Sequence, residues 1–314
     1  MTAYVDRQTT LDDQVTLTGI GVHSGKPASI TLVPAEAGVG IVFTRTDQEN
    51  SVEVPALWNK VSATALCTVL GDPSTEGVAT VEHLMAALVG MGVDNLIVEI
   101  DGPEMPVMDG SSVAFVEAIE QIGLKRLDRG RRYLKVKKTV RVNNGTAWCE
   151  LHPYNGTKFD ITIDFDTPLI GRQQFESEIT PDVFRDELCR ARTFGYVKDV
   201  EQLWKMGFAL GSSLENSVAI SEDKVLNPEG TRWPDEFARH KALDAVGDLA
   251  LAGLPILGLY RSYKGGHKMN HAILVKLFED PSSFEIVESP AFRKVGQVDK
   301  GGIAAAAAFG PDVS

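Results

Sequence analysis

Three polar side chains recur at every fourth residue in RHKALDAVGDLALAG, residues 239–253: His240, Asp244 and Asp248. A step of four along an α-helix advances only about 40° around its axis, so the three share one stripe. Leu243, Val246, Leu249 and Ala250 form the neighbouring apolar face. The helix should therefore be buried on that side, with the imidazole and the carboxylates at its margin. His and Asp four apart can hold one ion from the same helix face, by the geometry that places two histidines in HExxH. The same spacing also suits an ordinary hydrogen-bonded helix pair.

A second segment lowers the weight of that ordinary reading, although its own Glu and His would by themselves suit the helix dipole and plain packing. TVEHLMAALVG, residues 80–90, reads as a helix with Thr80 as its N-cap and a stop at Gly90 or Gly92, which puts Glu82 and His83 in its first turn. His83, His240 and Asp244 together make two imidazoles and one carboxylate, the ligand set of a catalytic zinc site that keeps its fourth position for water. Glu82, beside a ligand but not itself one, would stand where a general base is needed. A third segment, SYKGGHKMNHAILVKLF, sets His267 in a loop after two glycines, with Asn270 as the cap of a short following helix. If that loop faces the site, Asp248 would favour the imidazolium of His267 and make it a general acid.

These segments must be carried by a fold that brings three distant stretches together. The chain has 314 residues, 43% of them hydrophobic, enough for a large core and for two domains. Strand-like runs (QVTLTGIGVHSG, ASITLVPA, GIVFTR, NLIVEID) precede the helical TVEHLMAALVGMG and SSVAFVEAIEQIG, and a similar order follows in the second half. Helices grouped after strands predict an α+β fold. The basic stretch KRLDRGRRYLKVKKTVRV reads as a solvated linker running into an edge strand. It divides the chain into an N-terminal α+β domain, residues 1–127, and a C-terminal one, residues 128–300, with a low-complexity tail at 301–314. Val197, Val200, Leu203, Phe208 and Leu210 read from their types alone as ordinary core.

A net charge of -12 excludes a nucleic-acid binder, whose affinity would come from a field of Lys and Arg. There is no signal-peptide-like run and no apolar stretch long enough to span a bilayer, so a cytoplasmic protein without a transmembrane segment is expected. Three widely spaced cysteines, with no CxxC pair, indicate neither a disulfide framework nor a thiolate zinc site.

The segments LTGIGVHSG, TVEHLMAALVGMGVDNLIVEIDGPEMPVMDGSS, RARTFGYVKDVEQL, VLNPEGTRWPDEFARHKALDAVGDLALAG and YRSYKGGHKMNH resemble, in order and spacing, those of the UDP-3-O-acyl-N-acetylglucosamine deacetylases. These are zinc amidases that commit Gram-negative bacteria to lipid A synthesis. The resemblance implies hydrolysis of an N-acetyl group, with acetate and a free amino sugar as products, and two α+β domains of similar topology packed as a sheet-helix-helix-sheet sandwich. It implies Zn2+ on His83, His240 and Asp244, with Glu82 as base, His267 as cationic acid or stabiliser, Asp248 as its partner and Thr193 as a hydroxyl near the reacting carbonyl. It further implies an acyl-chain insert near residues 194–220 opening at Phe194, Lys241 and Lys264 toward the nucleotide or sugar, and Phe165 beside the uracil. An acylated UDP-sugar is thus the expected partner, and a monomer the expected state. Ala147 departs from members that carry a Lys there to reach the diphosphate. From the residues alone two rivals stay open: the facial triad of a non-haem iron oxygenase, and a non-enzymatic binder of acylated nucleotide sugars.

Overall fold

The computed structural model describes residues 7–49, 52–222 and 224–289; the expected tail at 301–314 lies outside them. Two mixed sheets carry the fold. The first is five-stranded, in the order Val15–Ile20, Pro27–Pro34, Leu96–Ile100, Ile41–Arg45 and Glu53–Pro55. Leu96–Ile100 at its centre is antiparallel to Pro27–Pro34 and parallel to Ile41–Arg45. The second is seven-stranded, with Ile256–Tyr263 as its spine, antiparallel to Ala147–His152 and parallel to both Thr157–Asp164 and Arg132–Val136. Phe159, Ile161 and Ile163 turn inward from Thr157–Asp164, the period of two expected of a strand with one face on a core.

Helices α1 (Glu82–Met91), α2 (Val113–Ile122), α3 (Pro181–Val183, continued by a π-turn over Phe184–Leu188), α4 (Val197–Lys205), α5 (Glu236–Ala250) and α6 (His267–Glu279) complete it. α1 packs on α2 and on α5, and α5 packs on α6 and the second sheet, so the helical layers meet between the sheets as the α+β sandwich requires. Two glycines set how closely they meet. A Cβ on Gly247 of α5 would lie 2.0 Å from the carbonyl oxygen of Glu82 in α1, and one on Gly90 would lie 2.4 Å from the ring of Phe184. The helix carrying His240 and Asp244 is thereby brought against the first turn of the helix carrying Glu82 and His83.

Several expectations need correction. The basic stretch is not a solvated linker: Leu124–Gly130 is a strand paired with Arg7–Leu11, and the expected boundary at 127/128 falls inside it. Arg132–Val136 is an inner strand between Ile256–Tyr263 and Phe284–Glu288, while Val140–Asn144 is an edge strand. Thr80 does not cap α1: its φ of 61° turns the hydroxyl toward Glu104 (3.3 Å), and Val81 takes the cap position. The stop at Gly92 holds, with φ 83° and its N–H on the Leu88 and Val89 carbonyls. Asn270 caps nothing, because α6 begins three residues earlier, at His267.

The residues read as core between 197 and 210 are not buried. α4 has no buried residue, and Val197 and Leu210 are 41% and 53% exposed. This stretch forms a separate small unit in which α4 connects the parallel strands Phe194–Tyr196 and Val218–Ser221. Among the described residues no helix is long and apolar enough to cross a membrane.

Candidate active site

The polar stripe of α5 lies deep in the molecule rather than at a margin: His240 and Asp244 are each 1% exposed and Asp248 is 2% exposed. With α1, α6 and the second sheet around it, α5 presents no open face, so every polar group on it needs a partner. His240 has one, on its Nδ1 side only. Its Nδ1 donates to the Ala191 carbonyl at 3.0 Å, which leaves Nε2 with its lone pair 3.3 Å from Asp244 Oδ1. Burial, against the pull of Asp244, drops the His240 pKa to about 3. The imidazole is therefore neutral, the form that binds a metal.

His83, from the first turn of α1, brings Nε2 to 3.6 Å from the same Asp244 Oδ1, its ring edge-on to that of His240 with centroids 5.1 Å apart. Burial opposes ionisation of Asp244, yet the imidazoles and Lys241, whose Nζ is 2.8 Å from Oδ2, hold its carboxyl well below the usual range. One ligand atom from each of His83, His240 and Asp244 lies within 4.8 Å of the others. Among the described residues only three buried side-chain polar atoms lack a hydrogen-bond partner, and two are here: His83 Nδ1 and Asp244 Oδ1. A carboxylate oxygen left bare between two imidazoles is costly in a protein interior unless a cation completes the set. The donor set, two imidazole nitrogens and one carboxylate oxygen, fits a divalent metal.

Around this centre stand the other expected residues. Glu82, 3% exposed, accepts the Thr68 backbone N–H at 3.0 Å, and burial raises its pKa above the ordinary carboxylate value despite the neighbouring imidazoles. His267 is not in a loop but at the N-terminus of α6, where the helix dipole disfavours a cation. It is compensated by Asp248, whose Oδ2 is 2.8 Å from His267 Nδ1. Burial alone would lower this imidazole's pKa, but Asp248, Glu82 and Asp244 together raise it to about 10. His267 Nε2 then points at the cluster, 3.8 Å from both Glu82 Oε1 and Asp244 Oδ2.

Glu82, His83, Thr193, Phe194, His240, Lys241, Asp244 and His267 all line one cavity of about 280 Å³. Its far wall is Val197, Val200 and Leu203 of α4 with Ala209 and Ala219, so an apolar slot leads away from the polar end. Phe165 stands against Phe194, ring centroids 5.9 Å apart. Lys241 lies 5.5 Å over the Phe194 ring. Lys264 is absent from the cavity wall and pairs with Asp164 at 3.5 Å.

Sequence reasoning missed several partners. Thr68 donates its hydroxyl to Asp248 Oδ1 at 2.6 Å, and the Asn270 amide donates to Asp248 Oδ2 at 2.8 Å while accepting the Tyr260 hydroxyl at 2.6 Å. Asn270 could have been found, because it lies three residues after His267 on the same helix face. Thr68, in a short strand-like run, gives no such signal. His23 also enters the cavity, edge-on to Phe208 with ring centroids 5.4 Å apart.

Residues 8–279 match the family model LpxC, described as UDP-3-O-acyl N-acetylglycosamine deacetylase. Relatives named UDP-3-O-acyl-N-acetylglucosamine deacetylase from Brucella ovis and Brucella canis are 51% identical over 290 residues, which is 92% of this chain and all of each relative. One from Brucella melitensis biotype 2 is 50% identical over the same length.

Proposed function

The chain belongs to the LpxC family of deacetylases, and from that premise we propose that it hydrolyses the N-acetyl group of UDP-3-O-acyl-N-acetylglucosamine in lipid A biosynthesis, with Zn2+ on His83, His240 and Asp244. The observation that carries the zinc assignment is the bare Asp244 Oδ1 between two imidazoles. A divalent ion bound there supplies Lewis acidity, polarising the amide carbonyl and lowering the pKa of water from about 15.7 toward about 7. The oxygenase and binder alternatives fall with membership of a deacetylase family.

The chain's own groups then divide the proton transfers. Glu82 takes a proton from the attacking water as the new C–O bond forms at the acetamide carbon; its burial raises its basicity toward that task. The negative charge that develops on the carbonyl oxygen is met by the His267 imidazolium and the Thr193 hydroxyl. A single donor of this kind is typically worth about 2.7–4 kcal/mol. When the C–N bond breaks, the amine needs a proton, and Glu82 Oε1 and His267 Nε2, 3.8 Å apart, both face the group that receives it. The products are acetate and UDP-3-O-acyl-glucosamine. Asp248 keeps His267 cationic and aims its Nε2 inward.

The acyl chain fits the apolar slot along α4, where Val197, Val200 and Leu203 face the cavity and none is buried in a core. Lys241 and Phe194 stand at the polar end, with Phe165 behind them for the nucleotide. Lys264, already paired with Asp164, serves from the rim, where an incoming diphosphate would compete for its charge.

Acetate release by the purified protein, before and after chelation, tests this reading, with metal analysis and Glu82→Ala alongside. One zinc per chain, activity lost on chelation and restored by zinc, and a large fall in rate with metal retained in Glu82→Ala are expected. No acetate release from the metal-replete protein would sink the assignment.

A further inference from the structure

Thr68 is 1% exposed, lies just before the short strand Val69–Leu70, and takes no part in the proton transfers above. Every polar group it has is nevertheless committed. Its N–H donates to Glu82 Oε2 at 3.0 Å, its carbonyl accepts the Val81 N–H at 3.4 Å, and its hydroxyl donates to Asp248 Oδ1 at 2.6 Å. One residue therefore touches the carboxylate of the general base in α1 and the carboxylate that orients His267 from α5.

The geometry at Asp248 shows what the hydroxyl does. Oδ2 receives His267 Nδ1 and Asn270 Nδ2, each at 2.8 Å, and Oδ1 receives Thr68. Donors on both oxygens fix the plane of the carboxylate. The Thr68 hydroxyl is also 3.4 Å from His267 Nδ1, too long to compete with the 2.8 Å bond that nitrogen makes to Asp248. Its hydrogen is thus free for Asp248 Oδ1. Removing it would leave that oxygen buried without a donor and let the carboxylate swing, carrying His267 with it.

We propose that Thr68 is a positioning residue that fixes Glu82 and the Asp248–His267 pair relative to one another through its amide and its hydroxyl. The inference rests on the deacetylase reading above. Thr68→Val keeps the branched shape and the amide and deletes only the hydroxyl. Its kcat should fall about 10- to 100-fold, the range in which misplaced catalytic groups fall, with KM within about twofold and zinc content unchanged. Thr68→Ser should recover to within about threefold of wild type.

The loss should shrink to less than about threefold in an Asp248→Ala background, since the hydroxyl then has no acceptor to hold. Independently of activity, the low-field proton resonance of the His267 Nδ1–H bond to Asp248 should shift or broaden in Thr68→Val and persist in Thr68→Ser. A Val variant with wild-type kcat, a loss that is undiminished in the Asp248→Ala background, or an unmoved resonance would overturn the proposal. Should the Val protein fail to fold, a Ser variant that loses 10-fold or more would overturn it equally, because the hydroxyl is still present. Absence of acetate release by the wild type would instead refute the functional reading, and the resonance would then decide the positioning role by itself.

Discussion

Gly247→Ala pits two physical effects of opposite sign against each other. On helix propensity alone, Ala in the middle of α5 should stabilise the protein by about 0.8–1.0 kcal/mol. The packing says otherwise, because the added methyl would sit 2.0 Å from the Glu82 carbonyl oxygen, 2.8 Å from its carbon and 3.1 Å from the Ala86 nitrogen. These are backbone atoms of α1 that cannot rotate away. Ordinary contact needs about 3.5 Å, so the helices must separate by roughly 1 Å or more. Overpacking of this kind typically costs about 1–3 kcal/mol, which outweighs the propensity gain. The displacement falls between the two halves of the site, since Glu82 and His83 ride on α1 and His240 and Asp244 on α5. A misplacement of about 1 Å can cost about 100-fold in rate. We therefore expect Gly247→Ala to lower the unfolding free energy in urea, to release metal to a chelator faster, and to lose about 100-fold in kcat. Gly102→Ala, where a Cβ meets nothing within 4 Å, is the control. A Gly247→Ala protein that is more stable and fully active would refute the close-packing account of how the two helices assemble the site.

Two further outcomes follow from the ionisable groups. In the metal-free protein the raised His267 pKa, about 10 against an ordinary 6.5, contributes stability that is complete below the lower value and is lost as pH rises through the upper one. Asp248→Asn should flatten the fall in unfolding free energy across that interval, and an unchanged slope would refute the pairing. Burial pushes Cys67 up to about 12 and Cys149 and Cys189 to about 11. The native protein should therefore resist iodoacetamide at mildly alkaline pH while the denatured protein takes up label at all three cysteines. Rapid labelling of the native protein would contradict their enclosure.

Much of the site was legible along the chain because helical periodicity is a local property. The spacing of His240, Asp244 and Asp248, and the adjacency of Glu82 and His83, place side chains on helix faces whatever surrounds them. Alternation in FDITIDFD likewise marks an inward face of a strand before any sheet is known. What spacing could not supply was depth and partnership. The α5 stripe is wholly buried rather than marginal because α1, α6 and the second sheet enclose it, and that depth makes His240 neutral. Valines and leucines of α4 looked like core, since residue type reports hydrophobicity but not whether a neighbour arrives to cover it. Thr68 and Asp248 are 180 positions apart in sequence, and only the close approach of α1 and α5 at Gly247 brings the base within reach of the Thr68 amide and the His267–Asp248 pair within reach of its hydroxyl. The sequence determined which groups share a helix face; the tertiary structure decided which faces meet, and with that the burial and charge on which the chemistry depends.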